Sequence, residues 1–230
     1  LDAATGEELS SLELGTRCRA QLAVSGNTVY AVTTDGVLHE LFLGSGGSLT
    51  AGRSVRFGSY STSSPVICDG RIYVGGSSSA DVTHGALFVI DLGTMEVEHE
   101  VLVPATAVEG QEGTGDVKSA PLVSVAADGN TYVYFTSNGK PGGVYAYRLG
   151  DAEATTLYQP ASDLWQFCMS SIACDASGNL YYFNDSGTLF KLDAGATTAA
   201  PGENGRGGEN NGGSARGSGN AGTSGNAGGN

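Results

Sequence analysis

The chain has 230 residues, with 24 acidic and 11 basic side chains and a formal net charge of −13. A surface that acidic repels phosphate backbones and anionic lipid headgroups, which excludes nucleic acid as a partner and adsorption to a bare membrane. No apolar run is long enough to cross a bilayer as a helix and no secretory signal lies within these residues, so direct membrane insertion of this segment is not expected.

The N-terminal stretch Leu1-Asp2-Ala3-Ala4-Thr5-Gly6-Glu7 reads as a turn after a strand, and Leu1-Asp2 matches Leu192-Asp193 near the other end of the patterned region. A strand is therefore expected over roughly Glu8 to Leu14. The first full unit follows as Ser25-Gly26-Asn27-Thr28-Val29-Tyr30 and Gly36-Val37-Leu38-His39-Glu40-Leu41. The clearest copy is Ser63-Ser64-Pro65-Val66-Ile67-Cys68-Asp69-Gly70-Arg71-Ile72-Tyr73-Val74-Gly75, then Gly85-Ala86-Leu87-Phe88-Val89-Ile90-Asp91. Its Asp69-Gly70 pair predicts a tight hairpin, because glycine takes positive φ without steric cost. The third copy runs Ser119-Ala120-Pro121-Leu122-Val123, Asp128-Gly129-Asn130-Thr131-Tyr132-Val133 and Gly143-Val144-Tyr145-Ala146-Tyr147. The fourth is Ser177-Gly178-Asn179-Leu180-Tyr181-Tyr182 with Gly187-Thr188-Leu189-Phe190-Lys191-Leu192-Asp193.

The matched glycines Gly26, Gly70, Gly129 and Gly178 are 44, 59 and 49 residues apart. That period, with several alternating apolar runs per unit, predicts an all-β β-propeller of four-stranded antiparallel blades. The expected boundaries are 1–15 for the fourth strand of a split blade, 16–59, 60–115, 116–160 and 161–194 for the repeat units, and 195–230 for a linker. Because the last unit lacks a fourth strand, two arrangements are open. Either the N-terminal strand completes the last blade and four blades close, or these blades are part of a larger ring, which is favoured.

Over 195–230 the composition changes: 13 of 36 residues are Gly and six are Asn, with no aromatic side chain. Such a segment cannot bury enough apolar area to offset the entropy of ordering it. It is expected to be a flexible spacer with a reach of about 30 to 35 Å. The low lysine and arginine content and this spacer point to an extracytoplasmic bacterial protein, secreted or at the cell surface.

The repeat wording at 63–75, together with Leu-Asp-Ala-Ala-Thr-Gly-Glu-Glu-Leu at 1–9, resembles the pyrroloquinoline-quinone-like β-propellers. That family includes quinoprotein alcohol dehydrogenases and an outer-membrane assembly lipoprotein. The resemblance covers 1–194 and implies a fold before it implies a reaction, because one fold hosts many functions. It would imply a quinone and calcium for the enzymes, which place a bridged pair of adjacent cysteines against the cofactor. Here Cys18, Cys68, Cys168 and Cys174 are all apart in sequence, and the one tryptophan, Trp165, does not follow a Thr-Gly turn. Buried free thiols are expected for the four cysteines, with a disulfide or metal role as the alternative. His39, His84 and His99 fall in separate elements, and no Walker loop, HExxH helix or nucleophile elbow appears. No catalytic residue, cofactor or metal site is assigned, and the enzyme reading is disfavoured.

Strand alternation puts the long connectors on one face of a propeller: Ser77 to Gly85, Val103 to Lys118, Ser137 to Gly142 and Pro160 to Gln166. Loops held by a rigid scaffold are where binding collects. The candidate partner-binding residues there are Asp81, His84, Asp116, Lys118, Asp163, Trp165 and Gln166, with Glu109, Glu112 and Lys140 beside them. Trp165 is the first choice, since an aromatic ring offers large contact area at low entropy cost. The expected protein is a monomer that recognises a protein or glycan through this face. The bland alternative is that these are solvated loop residues and that Trp165 fills a gap.

Overall fold

The computed structural model describes residues 1–104 and 112–193, with backbone alone for 112–114. The expected spacer over 195–230 and Glu109 lie outside the described residues.

The fold is a β-propeller segment whose blades are antiparallel sheets. The first blade is β1 (Ala23–Ser25), β2 (Thr28–Thr33), β3 (Val37–Leu43) and β4 (Leu49–Arg56), paired in that order. The second is β5 (Val66–Cys68), β6 (Arg71–Ser77), β7 (Gly85–Asp91) and β8 (Val97–Leu102). Between the second and third blades lies β9 (Glu112–Asp116). The third blade is β10 (Leu122–Val125), β11 (Thr131–Thr136), β13 (Val144–Arg148) and β14 (Thr155–Tyr158), with β12 (Asn138–Lys140) in its second-to-third connector. The last sheet has three strands among the described residues, β15 (Ala173–Cys174), β16 (Leu180–Phe183) and β17 (Leu189–Leu192).

Local chemistry accounts for the hairpins. Cys68 pairs with Arg71 across a two-residue turn in which Asp69 has φ 48° and Gly70 has φ 73°, the positive pair that matches strand twist. The other three matched glycines, Gly26, Gly129 and Gly178, also have positive φ. Successive sheets then bury their faces against each other. Tyr30, Val32 and Leu38 of the first blade meet Ile72, Val74 and Phe88 of the second, where Phe57 and Phe88 pack edge to face at 5.1 Å. Tyr73, Leu87 and Val101 meet Val133, Phe135 and Tyr145 of the third. Leu157 and Tyr158 meet Leu180, Tyr182 and Phe190 of the last.

The first strands β1, β5 and β10 lie side by side, which makes them the inner edges. Buried hydroxyls tie these edges together. Ser63 Oγ accepts from Gly75 N at 2.9 Å within its blade and donates to Ser119 O at 2.7 Å in the next. Thr136 Oγ1 donates to Ser170 O at 2.9 Å, and Ser170 Oγ donates to Phe183 O at 2.8 Å. Ser63 and Thr136 therefore satisfy backbone groups where two blades meet. One charged clamp reaches between blades as well. Glu40, only 4% exposed, holds Arg53 at 2.8 Å, and Arg53 Nη1 donates to Gly93 O at 2.6 Å in the second blade.

Three expectations need correction. Residues 8–14 pair with no strand; Ser10 Oγ instead accepts from Leu49 N at 3.1 Å, and Leu14 packs on Val29, Ala31 and Leu41. The connectors 103–118 and 137–142 are not simple loops, because β9 and β12 pair antiparallel, Asn138 opposite Asp116. The cysteines are unbridged, yet only Cys168 is buried; Cys18 and Cys174 are exposed and Cys68 is half-buried. Cys18 sits in the irregular lead-in to the first blade and Cys174 at the end of the two-residue strand β15.

Candidate functional site

Each long connector is stiffened from within. In the β6–β7 connector, Asp81 Oδ1 accepts from Thr83 N at 2.9 Å and from Thr83 Oγ1 at 2.6 Å, while Oδ2 meets His84 Nδ1 at 2.8 Å. Those hydrogen bonds hold the Asp81 carboxyl below the usual aspartate range. Ser78 N donates to His84 O at 2.7 Å and closes the loop. Beneath it Glu100 accepts from Ser78 Oγ, Ser79 Oγ and Ser79 N. Burial acts to raise the Glu100 pKa, but the serine hydrogen bonds prevail and hold it low.

The ribbon of β9 and β12 carries the next pair. Asp116 Oδ1 accepts from Ser77 Oγ at 2.9 Å, and Lys118 Nζ stands 3.9 Å from Asp116 Oδ2. Glycine permits this close approach: a Cβ on Gly85 would collide with the backbone of Gly115. On β12, the Lys140 ammonium lies 5.3 Å from the centre of the Phe167 ring, within cation–π range.

The connector into the last blade holds a short 3-10 turn, Ser162–Leu164. Trp165 follows it half-buried, with its indole Nε1 donating to Pro160 O at 3.0 Å. Asp163 is exposed and Gln166 half-buried, the Gln166 carbonyl lying close beside Gly142. The structure thus joins Asp81 with His84, Asp116 with Lys118 and Ser77, and brings the 160–168 connector against the β12 connector. It makes Trp165 a partly covered anchor of its own connector. The Glu112 side chain and Glu109 lie outside the described residues.

Two participants escaped the sequence reading, Glu100 and Phe167. The Ser77-Ser78-Ser79 run was the available signal for Glu100, since consecutive hydroxyls and amides in a loop form a donor nest that calls for a carboxylate. A shallow cavity of about 550 Å³ lies elsewhere, lined by Glu13, Leu14, Gly15, Thr16 and Arg17.

The quinone and calcium implied by the resemblance would need converging carboxylates and a pair of adjacent cysteines. Among the described residues no group of three or more His, Cys, Asp or Glu side chains converges. No two cysteines are adjacent in sequence. Among the described residues, then, the acidic side chains that the calcium of the quinone enzymes would need do not come together. Among the described residues no helix is long and apolar enough to cross a membrane.

No protein-family model matches the sequence, and none of the curated proteins matches it significantly. Solved structures do share its fold. BamB from Moraxella catarrhalis matches with a TM-score of 0.56 at 16% identity, over 81% of this chain and 50% of that one. A europium-containing methanol dehydrogenase matches with 0.52 at 13% identity, over 76% of this chain and 39% of that one. The quinohemoprotein alcohol dehydrogenase from Comamonas testosteroni matches with 0.52 at 16% identity, over 75% and 33%. The chain spans half or less of each of these proteins, and the likeness is one of fold.

Proposed function

We propose that this chain is a non-catalytic binding propeller of a bacterial cell envelope or surface, which recognises a protein or glycan through its long-connector face. The observation that carries the reading is the stitching of that face. Asp81 and Glu100 pin the β6–β7 loop, Asp116 ties it to the β9–β12 ribbon, and Lys140 on Phe167 ties the ribbon to the Trp165 connector. Pre-ordered loops lose less entropy on binding than free ones. The carboxylates Asp81 and Asp163 are exposed on that face, in a chain of net charge −13. A partner with a basic or hydroxyl-rich surface fits such a face.

The test compares the parent chain with the Asp81→Lys, Asp163→Lys, Trp165→Ala variant in binding to envelope extracts and to a panel of immobilised glycans. Loss of at least about tenfold in affinity is expected, ~1.4 kcal/mol, with unchanged circular dichroism. A ligand bound equally by both proteins removes this face from consideration.

A second reading, part of a quinone-dependent alcohol oxidoreductase, is favoured by the fold match to the two dehydrogenases. Adding calcium and the quinone and following dye-linked oxidation of alcohols separates it from the first. A scaffold of the kind named for the assembly lipoprotein is a narrower form of the binding reading, and it makes the partner an envelope protein.

A further inference from the structure

Each of the three four-stranded blades ends in an outer strand, and the three outer strands are not alike. Among the described residues β4, β8 and β14 each pair with one strand alone, so each leaves one backbone edge open. β4 and β14 carry no exposed large apolar side chain. β8 carries two, Val97 at 36% and Leu102 at 47% exposure. The β6–β7 loop, bonded to β8 through Ser79 and Glu100, adds Val82 at 63%. β8 belongs to the blade between the first and the third, remote in sequence from both termini.

The backbone of β8 is divided between an inward and an outward set. Val103 N donates to Gly85 O at 2.9 Å, and the register runs on from Leu102 opposite Ala86 to His99 opposite Val89. In an antiparallel pair the groups that face the partner strand alternate residue by residue. The amides of Val101 and His99 therefore turn to β7, and those of Glu100 and Leu102 turn outward. A register shift between Val89 and Ile90 ends the regular ladder, so the straight part of the edge is His99 to Leu102. The same alternation sorts the side chains. Val97, Glu100 and Leu102 share the face of Ile90, Phe88 and Ala86, which looks toward the first blade. Ser78 and Ser79 draw the Glu100 carboxylate into their own cluster, which leaves Val97 and Leu102 as the apolar contacts on that face.

Charge decides what such an edge accepts. Residues 60–104 hold six acidic side chains and one basic, whereas 16–59 hold four basic and two acidic. The basic group of the second blade, Arg71, is already bound to Glu98 at 2.6 Å. We propose that the outer edge of β8 docks an extended, basic segment of another protein, which adds to the second blade as a fifth strand. Lysine or arginine side chains of that segment meet the acidic blade, and its alternate apolar side chains cover Leu102 and Val97. A second copy of this chain is the poorer occupant, because a net charge of −13 sets two copies against each other. This surface goes beyond the proposed function: it is an edge of one blade, separate from the long-connector face, and can be altered without touching Asp81, Asp163 or Trp165.

The test is fluorescence anisotropy of a short labelled peptide of alternating lysine and valine, titrated with the 230-residue chain. One control peptide has glutamate in place of lysine. The other has every backbone nitrogen methylated, which keeps its charge and side chains but leaves it unable to donate to a strand edge. The lysine–valine peptide should bind at least about tenfold more tightly than either control.

Two variants of the chain complete it. Leu102→Pro removes an outward N–H and spares the bonds to β7, since proline is tolerated on an open edge. Val97→Ser combined with Leu102→Ser removes the apolar contacts and keeps every amide. Each should weaken the lysine–valine peptide at least about tenfold, with unchanged circular dichroism. Amide exchange followed by NMR should find Glu100 and Leu102 open in the free chain and protected by the peptide, with His99 and Val101 protected throughout. Equal binding of either control peptide would reduce the contact to something other than strand pairing by a basic segment and overturn the proposal. Variants that bind as the parent does, or Glu100 and Leu102 amides already protected in the free chain by its own residues or a second copy, would overturn it as well.

Discussion

The second and last blades are written in the same repeat and buried in opposite ways. In the second, Ile72 to Ser77 of β6 and Gly85 to Ile90 of β7 are buried without a break, because a blade covers each face. In the last, β17 alternates exposed Leu189, buried Phe190, exposed Lys191 and buried Leu192, because one face alone is covered. A strand's pattern therefore reports which of its faces the described residues cover, and strict alternation marks a sheet with one face covered.

The largest test of that contrast is a pair of phenylalanines. Phe88 is fully buried against Phe57, so Phe88→Ala should cost about 3–5 kcal/mol in urea unfolding. Phe183→Ala in the last blade, measured in dilute protein, should stay within about 0.5 kcal/mol. Comparable losses at the two positions would mean that both faces of the last sheet are covered in solution.

Backbone proximity sharpens the comparison next. A Cβ on Gly75 would meet the backbone oxygen and side chain of Val117, in the segment that leads into the third blade. Gly75→Ala should therefore destabilise by about 1–3 kcal/mol, through separation of the second and third blades. At Gly187, in the β16–β17 turn of the last blade, a Cβ would meet nothing within 4 Å, and alanine meets only the cost of its positive φ of 77°, about 1 kcal/mol. The hydroxyl ties should rank close behind. Ser63→Ala leaves buried Gly75 N without its acceptor, a loss of about 1–3 kcal/mol by the same unfolding measurement.

The blades were legible in the sequence because hairpin turns are local: Asp69-Gly70 sets its own geometry, and the alternation after it sets the strand. The site residues were legible as positions on long connectors and no further. That Asp116 reaches Ser77, or that β9 pairs β12, depends on segments about 20 to 40 residues apart meeting in space, which no short-range pattern encodes. The 8–14 segment shows the same limit from the other side. Its Asp2-to-Glu7 turn folds as its residues dictate, but a strand needs an edge to pair with, and the chain places Leu49 and the first blade beside it instead.

The smallest expected effect lies in how the two blades close their hairpins. In the second blade the turn is two residues long and its conformation alone suffices. In the last blade a longer turn is organised by Asp175, which accepts from Asn179 Nδ2 at 2.8 Å, Asn179 N at 2.9 Å, Tyr181 Oη at 2.9 Å and Ser177 N at 2.8 Å. The Asn179 side chain is the leading cause that lowers the Asp175 pKa to about 2. A folded-state pKa below the ordinary aspartate value of about 3.9 makes the carboxylate a stabilising group above that value, and the stabilisation is lost as the pH falls toward 2. Thermal unfolding of the parent chain and of Asp175→Ala should therefore differ at neutral pH and converge between about pH 4 and pH 2. A gap that persists unchanged at pH 2 would mean that Asp175 acts through its shape in the turn, and that its charge contributes nothing.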